Sequence, residues 1–250
     1  MTDFKPPKYT KALIGHTRHS TQGSEKNNYN NHPFYGRAGK TKFALAHNGV
    51  LINDNALRSS NNLPKTKIET DSYIAVQLLE MQDKLSHDTM KHMAESVRGS
   101  FSFSILDNGN NIHLIKGDSP LSIIHMKKKK LYVYASTETI LWKALIETGL
   151  FDELKAGNYE EVPLISGEIM TITSDGKIIK SSFDYTDYSA FDWRSCGNYK
   201  YSDYNYLIDL RSAAASLGYT EQDIELLQDE GFTYDEIEEI IYSGYEEVFR

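Results

Sequence analysis

The sequence predicts an α+β fold with a small helical unit at its C-terminal end. Short runs that alternate between apolar and polar residues recur along the first three-quarters of the chain, bounded by Gly, Asn and Asp. Two segments between these runs have helical spacing, and a short motif repeats near the C-terminus. Because strands and helices do not alternate regularly, antiparallel connections are favoured over strand–helix–strand units.

Seven segments have the composition and length of strands. A turn at Ser174–Lys177 follows the last of them. The only basic run, Lys127–Lys130, separates two of them, and we predict that it is a solvated hairpin turn rather than a phosphate site. The predicted strands are residues 11–18, 42–48, 100–108, 112–117, 121–126, 131–136 and 167–173.

Helical spacing occurs in residues 69–85 and 137–149, and each segment opens with a Thr or Glu-Thr cap signal. Nearer the C-terminus, Gly218–Glu225 recurs in close form as Gly231–Glu238, with a period of 13 residues. In each copy a Thr begins a helix and an acid three residues later completes a capping box. The buried stripe is predicted to consist of Ile224, Leu227, Ile237 and Ile241.

These patterns predict three parts of the chain. Residues 1–183 form the main domain, 184–206 form a Tyr-rich linker or wrapping segment, and 207–250 form a small acidic three-helix unit. The aromatic content of the middle segment favours docking onto the main domain over a free coil.

Composition excludes several classes of function. The formal net charge of −8 argues against a nucleic-acid binder, which needs clustered Lys and Arg. No apolar run approaches the roughly 18 residues of a membrane span, and no signal peptide is visible, so we expect a cytoplasmic protein without membrane contact. The single cysteine, Cys196, allows neither an intrachain disulfide nor a cysteine-rich zinc site.

Three blocks carry the residues suited to chemistry: Gly15–Gly23, Ala46–Val50 and Ile68–Ser72. They supply Arg18 at a strand end, the pair Asn48 and Gly49 after an apolar strand, and Asp71 at a helix start. An Arg binds an α-carboxylate through paired hydrogen bonds, an Asp pairs with an α-ammonium, and an Asn amide beside a Gly N–H can form an oxyanion hole. Together they outline a site for glutamine.

Each of these residues also has a structural interpretation. Taken singly, Arg18 fits a surface ion pair, Asn48-Gly49 fits a hairpin turn, and Asp71 fits a helix cap. A metal site is suggested by three histidines near Asp71, but strand alternation does not force them together, so we expect no metal. Those histidines are His16, His19 and His32.

The order of the motifs resembles the class II, N-terminal-nucleophile (Ntn) glutamine amidotransferases. The resemblance runs from residue 11 to about residue 183. The segments that carry it are, in chain order, GHTRHSTQG with NNHPF, AHNGVLINDNALR, IETDSYIAVQLL, VRGSFSFSILD, GDSPLSI, YVYASTETIL and GEIMTITSDG.

The resemblance implies a four-layer αββα sandwich, in which two antiparallel sheets pack face to face, and no cofactor. It implies that Arg18 and Thr21 hold the glutamine α-carboxylate and that Asp71 holds the α-amino group. The Asn48 side chain and the Gly49 N–H would form the oxyanion hole. His47 is placed with the substrate-binding residues, and both it and His32 would be structural neighbours rather than general bases.

In this family an N-terminal cysteine thiol attacks glutamine, and its own α-amine acts as the base. Only 14 residues precede Gly15 here, so we expect the nucleophile and the first strand to be absent from this sequence. A trimmed product, one half of a split enzyme and a pseudoenzyme are all open explanations. Thr2 is a remote candidate nucleophile after removal of Met1, and Cys196 is internal and lacks a free α-amine.

Two functions follow from the sequence. The first is a glutamine amidotransferase-like protein that hydrolyses the glutamine amide and releases ammonia if an N-terminal cysteine segment is supplied. The alternative is a non-catalytic pseudoenzyme that keeps the glutamine-type pocket and binds a partner through that pocket or through its acidic helical tail. Glutamine or glutamate is the expected small molecule, and a protein partner or self-association is expected to cover the missing strand.

Overall fold

The computed structural model describes residues 6–17, 26–150, 157–185 and 219–229, together with residues 214, 232, 237, 240 and 241. These residues divide into two units. The first contains 6–17, 26–119 and 164–185, and the second contains 120–150, 157–163 and the described positions after 213. Both units combine antiparallel strands with helices, which confirms the α+β class.

The first unit is built on a six-stranded antiparallel sheet. Its strands lie in the order β1-β2-β3-β4-β8-β9, in which three neighbouring pairs are hairpins and the β2–β3 and β4–β8 junctions join distant segments. The strands are β1 (Phe34–Ala38), β2 (Thr41–Leu51), β3 (Gly99–Asp107), β4 (Ile112–Lys116), β8 (Glu168–Ile172) and β9 (Ile178–Ser182).

Three helices belong to the first unit: α1 (Asp54–Ser60), α2 (Tyr73–Glu80) and α3 (His87–Ser96). Alternate residues of the strands share one buried cluster with α2 and α3. Burying a Leu, Ile or Phe side chain contributes about 1.5–3 kcal/mol, so this cluster is the main source of stability of the unit. Its strand members include Leu45, Leu51, Phe101, Phe103, Ile105, Ile115 and Ile169.

The helix predicted at residues 69–85 exists but is shorter. It begins at Tyr73 and ends at Glu80, and its N-cap is Ser72 rather than the predicted Thr70. The N–H groups of Tyr73 and Ile74 bond to the carbonyls three residues earlier, so the chain enters α2 through a tight turn. This turn places the side chains of residues 70–72 inside the protein, where all three are buried.

The prediction of a strand at residues 11–18 is wrong for residues 11–17, the part that the structure describes. Residues 11–17 have no strand assignment. Their exposure alternates residue by residue, as a strand's does, but they form no ladder with the rest of the described chain. The alternation that suggested a strand therefore reflects one-sided packing without ladder hydrogen bonds.

The second unit contains a three-stranded antiparallel sheet in the order β6-β5-β7, formed by β5 (Ser122–Met126), β6 (Leu131–Ala135) and β7 (Tyr159–Glu161). The basic run lies in the connection between β5 and β6 with its side chains exposed, which confirms the predicted hairpin. Helix α4 (Glu138–Glu147) confirms the second predicted helix, and the Thr137 side chain caps it by accepting the Ile140 N–H.

Near the C-terminus the structure describes α5 (Glu221–Asp229). The Asp223 carboxylate accepts the Thr220 N–H at 2.6 Å and Thr220 Oγ1 accepts the Asp223 N–H at 3.3 Å, which confirms the first capping box. The second capping box, at Thr233 and Glu236, lies outside the described residues. The predicted stripe is buried in one cluster, with Ile224, Leu227, Ile237 and Ile241 at most 3% exposed.

Of the Tyr-rich segment 184–206, the described residues are Asp184 and Tyr185. The Tyr185 ring packs edge-on against Phe101 and Phe183 of the first unit. Within the described ranges, each helix is too short or too polar to cross a lipid bilayer.

Candidate functional site

Strand β2 carries three of the predicted site residues: His47, Asn48 and Gly49. The sequence placed the Asn48-Gly49 pair where a strand predicted at residues 42–48 ends, or in a turn, but the strand continues to Leu51 and pairs both residues with β3. The pairing with a long neighbouring strand overrides the turn preference of Asn-Gly. Four residues with assigned or considered roles, namely Thr2, Arg18, Thr21 and Cys196, lie outside the described residues.

The ladder between β2 and β3 sets the direction of the Gly49 N–H. The Ile52 N–H donates to the Arg98 carbonyl at 2.9 Å, and the Asn108 N–H donates to the Lys42 carbonyl at 2.9 Å, so even-numbered positions of β2 bond to β3. In an antiparallel pair these positions alternate with ones whose N–H groups point away. The Gly49 N–H therefore points towards the opposite edge of β2.

Among the described residues, that edge of β2 is only partly covered by another strand. Strand β1 pairs with β2 from Thr41 to Leu45 and no further. At the other end, the Leu51 N–H donates to the Asp71 carboxylate at 2.6 Å. Gly49 lies between the end of β1 and this hydrogen bond, so its N–H points towards a stretch of the β2 edge that no described strand covers.

Gly49 must be a glycine for steric reasons. Its φ is 125°, which side chains rarely adopt, and an added Cβ would lie 2.2 Å from the Ser100 carbonyl oxygen and 2.8 Å from Ser119 Oγ. The first of these neighbours is backbone of the paired strand and cannot move aside. Close approach of β3 and Ser119 therefore fixes the position of the Gly49 N–H.

Asp71 joins the start of α2 to the end of β2. It is 3% exposed and accepts the Leu51 N–H, and the Ser72 hydroxyl oxygen lies 3.4 Å from its Oδ1. Burial raises the pKa of the Asp71 carboxyl above its usual value, while the hydrogen bonds from Leu51 and Ser72 oppose that rise. A carboxylate as deeply buried as this one would gain from a bound cation.

His47 bridges α2 and β3. Its Nε2 lies 3.4 Å from the Ser100 carbonyl, which can only accept, so Nε2 carries the proton. Its Nδ1 lies 2.8 Å from Ser72 Oγ and then accepts the hydroxyl hydrogen. Burial lowers the pKa of His47 to about 4, against a smaller opposing effect of the Ser100 hydrogen bond, so the ring is neutral at pH 7. The ring also packs 4.8 Å from that of Phe103.

A second polar group lies on the β3 side of Gly49, and sequence reasoning gave it no role. The Ser100 and Ser119 hydroxyls are 2.6 Å apart, and Lys116 Nζ donates to the Ser119 carbonyl at 2.8 Å. Asp118 accepts the Phe101 N–H at 3.0 Å, which ends the β3–β4 ladder. The Gly-Asp-Ser turn signal directly after a strand was the only indication of this group.

The histidines considered as metal ligands are only partly described. The rings of His16 and His32 are 4.3 Å apart, and His32 lies 6.5 Å from His47. His19 lies outside the described residues. No group of three His, Cys, Asp or Glu side chains suited to a metal occurs in the described part of the chain.

Comparison with known proteins identifies the family. Residues 16–143, more than half of the chain, match the sequence profile of the family described as "Glutamine amidotransferase domain". The glutamine–fructose-6-phosphate aminotransferase (isomerizing) of Oceanobacillus iheyensis is 28% identical over 166 residues, which are 63% of this chain and 27% of that protein. The amidophosphoribosyltransferase of Methanocaldococcus jannaschii is 30% identical over 182 residues, 69% of this chain and 35% of that protein.

Another relative is the amidophosphoribosyltransferase of Methanothermobacter thermautotrophicus, 29% identical over 53% of this chain and 28% of its own length. The chain thus spans about a third or less of these curated relatives. Solved structures that resemble it include the "allosteric regulatory enzyme of purine biosynthesis" (TM-score 0.48, 22% identity, 63% of this chain and 32% of that one). They also include the glutamine phosphoribosylpyrophosphate amidotransferase of B. subtilis with ADP and GMP (TM-score 0.49, 21% identity, 64% and 33%).

The motif order, the antiparallel α+β fold and the match over residues 16–143 agree with one another. The chain belongs to the glutamine amidotransferase domain family, of the class II, Ntn type.

Proposed function

We propose that this domain binds glutamine at the open edge of β2 and positions its side-chain amide for hydrolysis to glutamate and ammonia. The observation that carries the proposal is the direction of the Gly49 N–H, which points towards the edge of β2 that no described strand covers. Gly49 follows Asn48 and is two residues from the Leu51–Asp71 hydrogen bond. An N–H donor and a carboxylate so close together suit opposite ends of an amino acid.

The amide end of glutamine is assigned to Asn48 and Gly49. When a nucleophile attacks the amide carbon, negative charge develops on its oxygen, and a fixed backbone N–H with an adjacent side-chain amide stabilises that charge. The glycine conformation and its contact with Ser100 hold the N–H in place before the reaction begins. Removing one donor of this kind typically costs about 100–1,000-fold in rate.

The amino-acid end is assigned to Asp71, Arg18 and Thr21. A bound ammonium would offset the desolvation of the Asp71 carboxylate, which is nearly unexposed. Arg18 and Thr21 would hold the α-carboxylate, a role that rests on the family resemblance. His47 supports this end indirectly, because it bonds to Ser72 beside Asp71.

The complete reaction needs a thiol with a free α-amine, as in the rest of the family. The thiol would attack the amide carbon, ammonia would leave, and water would hydrolyse the thioester to glutamate. We propose that the residues named above bind and orient glutamine for a cysteine supplied in this way. We also predict that a protein partner or a second copy of the chain covers the place of the missing strand.

One observation favours the alternative of a non-catalytic domain. The Asp71 carboxylate already accepts the Leu51 N–H at 2.6 Å, which is a structural role that does not require a ligand. A pseudoenzyme that keeps the pocket, and binds a partner through it or through its acidic tail, would preserve this hydrogen bond for stability alone.

Titration calorimetry with glutamine on the 250-residue chain tests the binding proposal. We expect saturable binding that is abolished in Arg18→Ala and weakened at least tenfold in Asn48→Ala. The matched controls are Arg98→Ala and Asn55→Ala, which change exposed side chains of the same types and should bind as the parent does. Equal binding by all five proteins, or none by the parent, would disprove the glutamine assignment.

A second measurement separates the enzyme from a binding protein. Ammonia release from glutamine is measured with the protein in the form that its natural source produces. Release that is lost in Asn48→Ala supports catalysis, whereas glutamine binding without release supports the non-catalytic alternative.

A further inference from the structure

Five polar side chains form one unbroken line of hydrogen bonds where α3 meets the sheet, away from the candidate site. Ser181 Oγ lies 2.6 Å from His87 Nδ1, and His87 Nε2 lies 2.7 Å from Thr171 Oγ1. Thr171 Oγ1 lies 2.8 Å from His113 Nδ1, and His113 Nε2 lies 3.3 Å from Asp107 Oδ2. We call these five residues the histidine relay. It links α3 to β3, β4, β8 and β9.

The histidine relay is not a nucleophilic site. Thr171, His113 and Asp107 have the hydroxyl–imidazole–carboxylate order of a hydrolase triad. However, Thr171 is 5% exposed and His113 is 7% exposed, and the Thr171 hydroxyl is shared with a second imidazole. A substrate could not reach the Thr171 hydroxyl, so another explanation is needed for this partly buried line of titratable groups.

The carboxylate at one end sets the direction of every hydrogen bond. Burial disfavours the charged form of Asp107, but hydrogen bonds from His113 and Asn111 outweigh it and lower the pKa of Asp107 to about 2. The carboxylate also accepts the N–H groups of Gly109 and Asn111. Because it can only accept, His113 Nε2 must carry a proton.

With both imidazoles neutral, the rest of the pattern is determined. His113 Nδ1 accepts the Thr171 hydroxyl hydrogen, Thr171 Oγ1 accepts from His87 Nε2–H, and His87 Nδ1 accepts from the Ser181 hydroxyl. Every donor in the line then has an acceptor. All four hydrogen bonds run in the same direction, towards Asp107.

One added proton can also be accommodated, and it reverses part of the line. If His113 takes it, its Nδ1–H donates to Thr171 Oγ1, and the Thr171 hydroxyl turns to donate to His87 Nε2. His87 then carries its single proton on Nδ1 and donates to Ser181. The proton bound at His113 is balanced by Asp107, whereas a charge on His87, the first residue of α3, would oppose the helix dipole.

A second proton cannot be accommodated. Both imidazoles would then donate to Thr171 Oγ1, and the hydroxyl hydrogen would have no acceptor in the line. Two positive rings would also face each other across one oxygen atom. The charged groups that act on His87 are His113 and Asp88, and burial lowers the pKa of His87 more than either changes it.

We propose that the histidine relay is a one-proton switch that fastens α3 to the sheet: the line accepts a single added proton, and its uptake is coupled to a tautomer change at His87. Binding of a second proton breaks the line and releases the first turn of α3 from β8 and β9. The switch responds to acidification independently of glutamine binding.

The test is a pH titration of the imidazole nitrogens of the 250-residue chain by ¹⁵N NMR. We expect both rings in the Nε2–H form at pH 8. As the pH falls, uptake of the single added proton by the relay should coincide with a change of His87 to the Nδ1–H form. In Thr171→Val, which removes the hydroxyl at nearly constant volume, the two rings should titrate separately, and Thr171→Ser should restore the coupling.

Two controls keep this test decisive. His92 is exposed on the same helix, so His92→Gln should leave the coupling unchanged. If Thr171→Val does not fold, Thr171→Ala replaces it, and the two rings should again titrate separately. Independent titration of the two rings in the parent chain, or two charged rings with α3 still folded, would overturn the proposal.

Discussion

The Asp71 carboxylate accepts the Leu51 backbone N–H at 2.6 Å, two residues beyond Gly49 on the same strand. This hydrogen bond connects the turn before α2, which carries the proposed ammonium site, to strand β2, which carries the proposed oxyanion site. The two ends of the pocket therefore share one structural support, and substitutions there should separate stability from binding.

Replacing Asp71 by Asn should abolish glutamine binding without unfolding the protein. The amide oxygen can still accept the Leu51 N–H, while the charge that would hold an α-ammonium is lost. Burial raises the Asp71 pKa above 3.8, so its contribution to stability is complete below that pH and is lost as the pH rises through the folded-state pKa. At pH 7 the variant should therefore be more stable than the parent.

Urea unfolding and calorimetry on the same samples check this prediction. Asp83→Asn, at an exposed position, is the control and should change neither quantity. A variant that still binds glutamine would show that Asp71 has only a structural role.

Gly49→Ala should destabilise the domain by about 2–4 kcal/mol, since it adds strain at a positive φ to overlap with a neighbouring strand. The overlap is with the Ser100 carbonyl oxygen, 2.2 Å from the added Cβ. Gly176→Ala is the matched control, because Gly176 also has a positive φ, 82°, but open space around it. That control should lose only about 1 kcal/mol in urea unfolding. Equal losses would mean that β3 moves aside.

His47 should make the protein lose stability on acidification. Its pKa is lowered from 6.5 to about 4, so its contribution is complete above pH 6.5, decreases as the pH falls and is lost below about pH 4. A shift of this size corresponds to about 3 kcal/mol. His47→Asn, whose side-chain oxygen can accept from Ser72, should flatten the stability profile in this range.

Unfolding free energies measured at intervals between pH 4 and pH 7.5 check the His47 prediction. The other histidines titrate in both proteins, so the difference between parent and variant is the quantity of interest. His92→Gln should leave the slope as it is in the parent. An unchanged slope in His47→Asn would show that the ring is charged or exposed in solution.

Deletion of residues 207–250 should leave the six-stranded sheet folded. The members of the main buried cluster lie between residues 34 and 185, and the C-terminal apolar residues form a cluster of their own. We expect cooperative urea unfolding of the shortened chain with little change in midpoint. Loss of cooperativity would instead show that the C-terminal part completes the core and is not an appendage.

The sequence predicted much of this fold because its strands are strongly patterned. The run at 42–48 was identified from its apolar residues, but its extension to Leu51 depends on pairing with β3, which lies about 50 residues away. Helix α3 was missed because its cap pairs Ser86 with Thr89 in place of an acid. Strand β9 was missed because, as an edge strand, it has no buried alternate row.

The candidate site was predicted less completely than the fold. Gly49 and Asp71 stood out because their residue types suit an oxyanion and an ammonium. Their connection through Leu51 is a contact between a backbone N–H and a distant side chain, which leaves no local signal. The same applies to the bridge between His47 and Ser72, and to the pair of Ser100 and Ser119.

The order of strands in the six-stranded sheet also determines how quickly it can form. Three hairpins need only local loop closure, whereas joining β2 to β3 requires the intervening segment with α1, α2 and α3 to be enclosed. Contacts between residues far apart in sequence form slowly, so we expect formation of the β2–β3 and β4–β8 junctions to limit the rate of refolding. Gly49 and its neighbours lie on the first of these junctions, so we expect the strand that presents the proposed site also to influence the speed of folding.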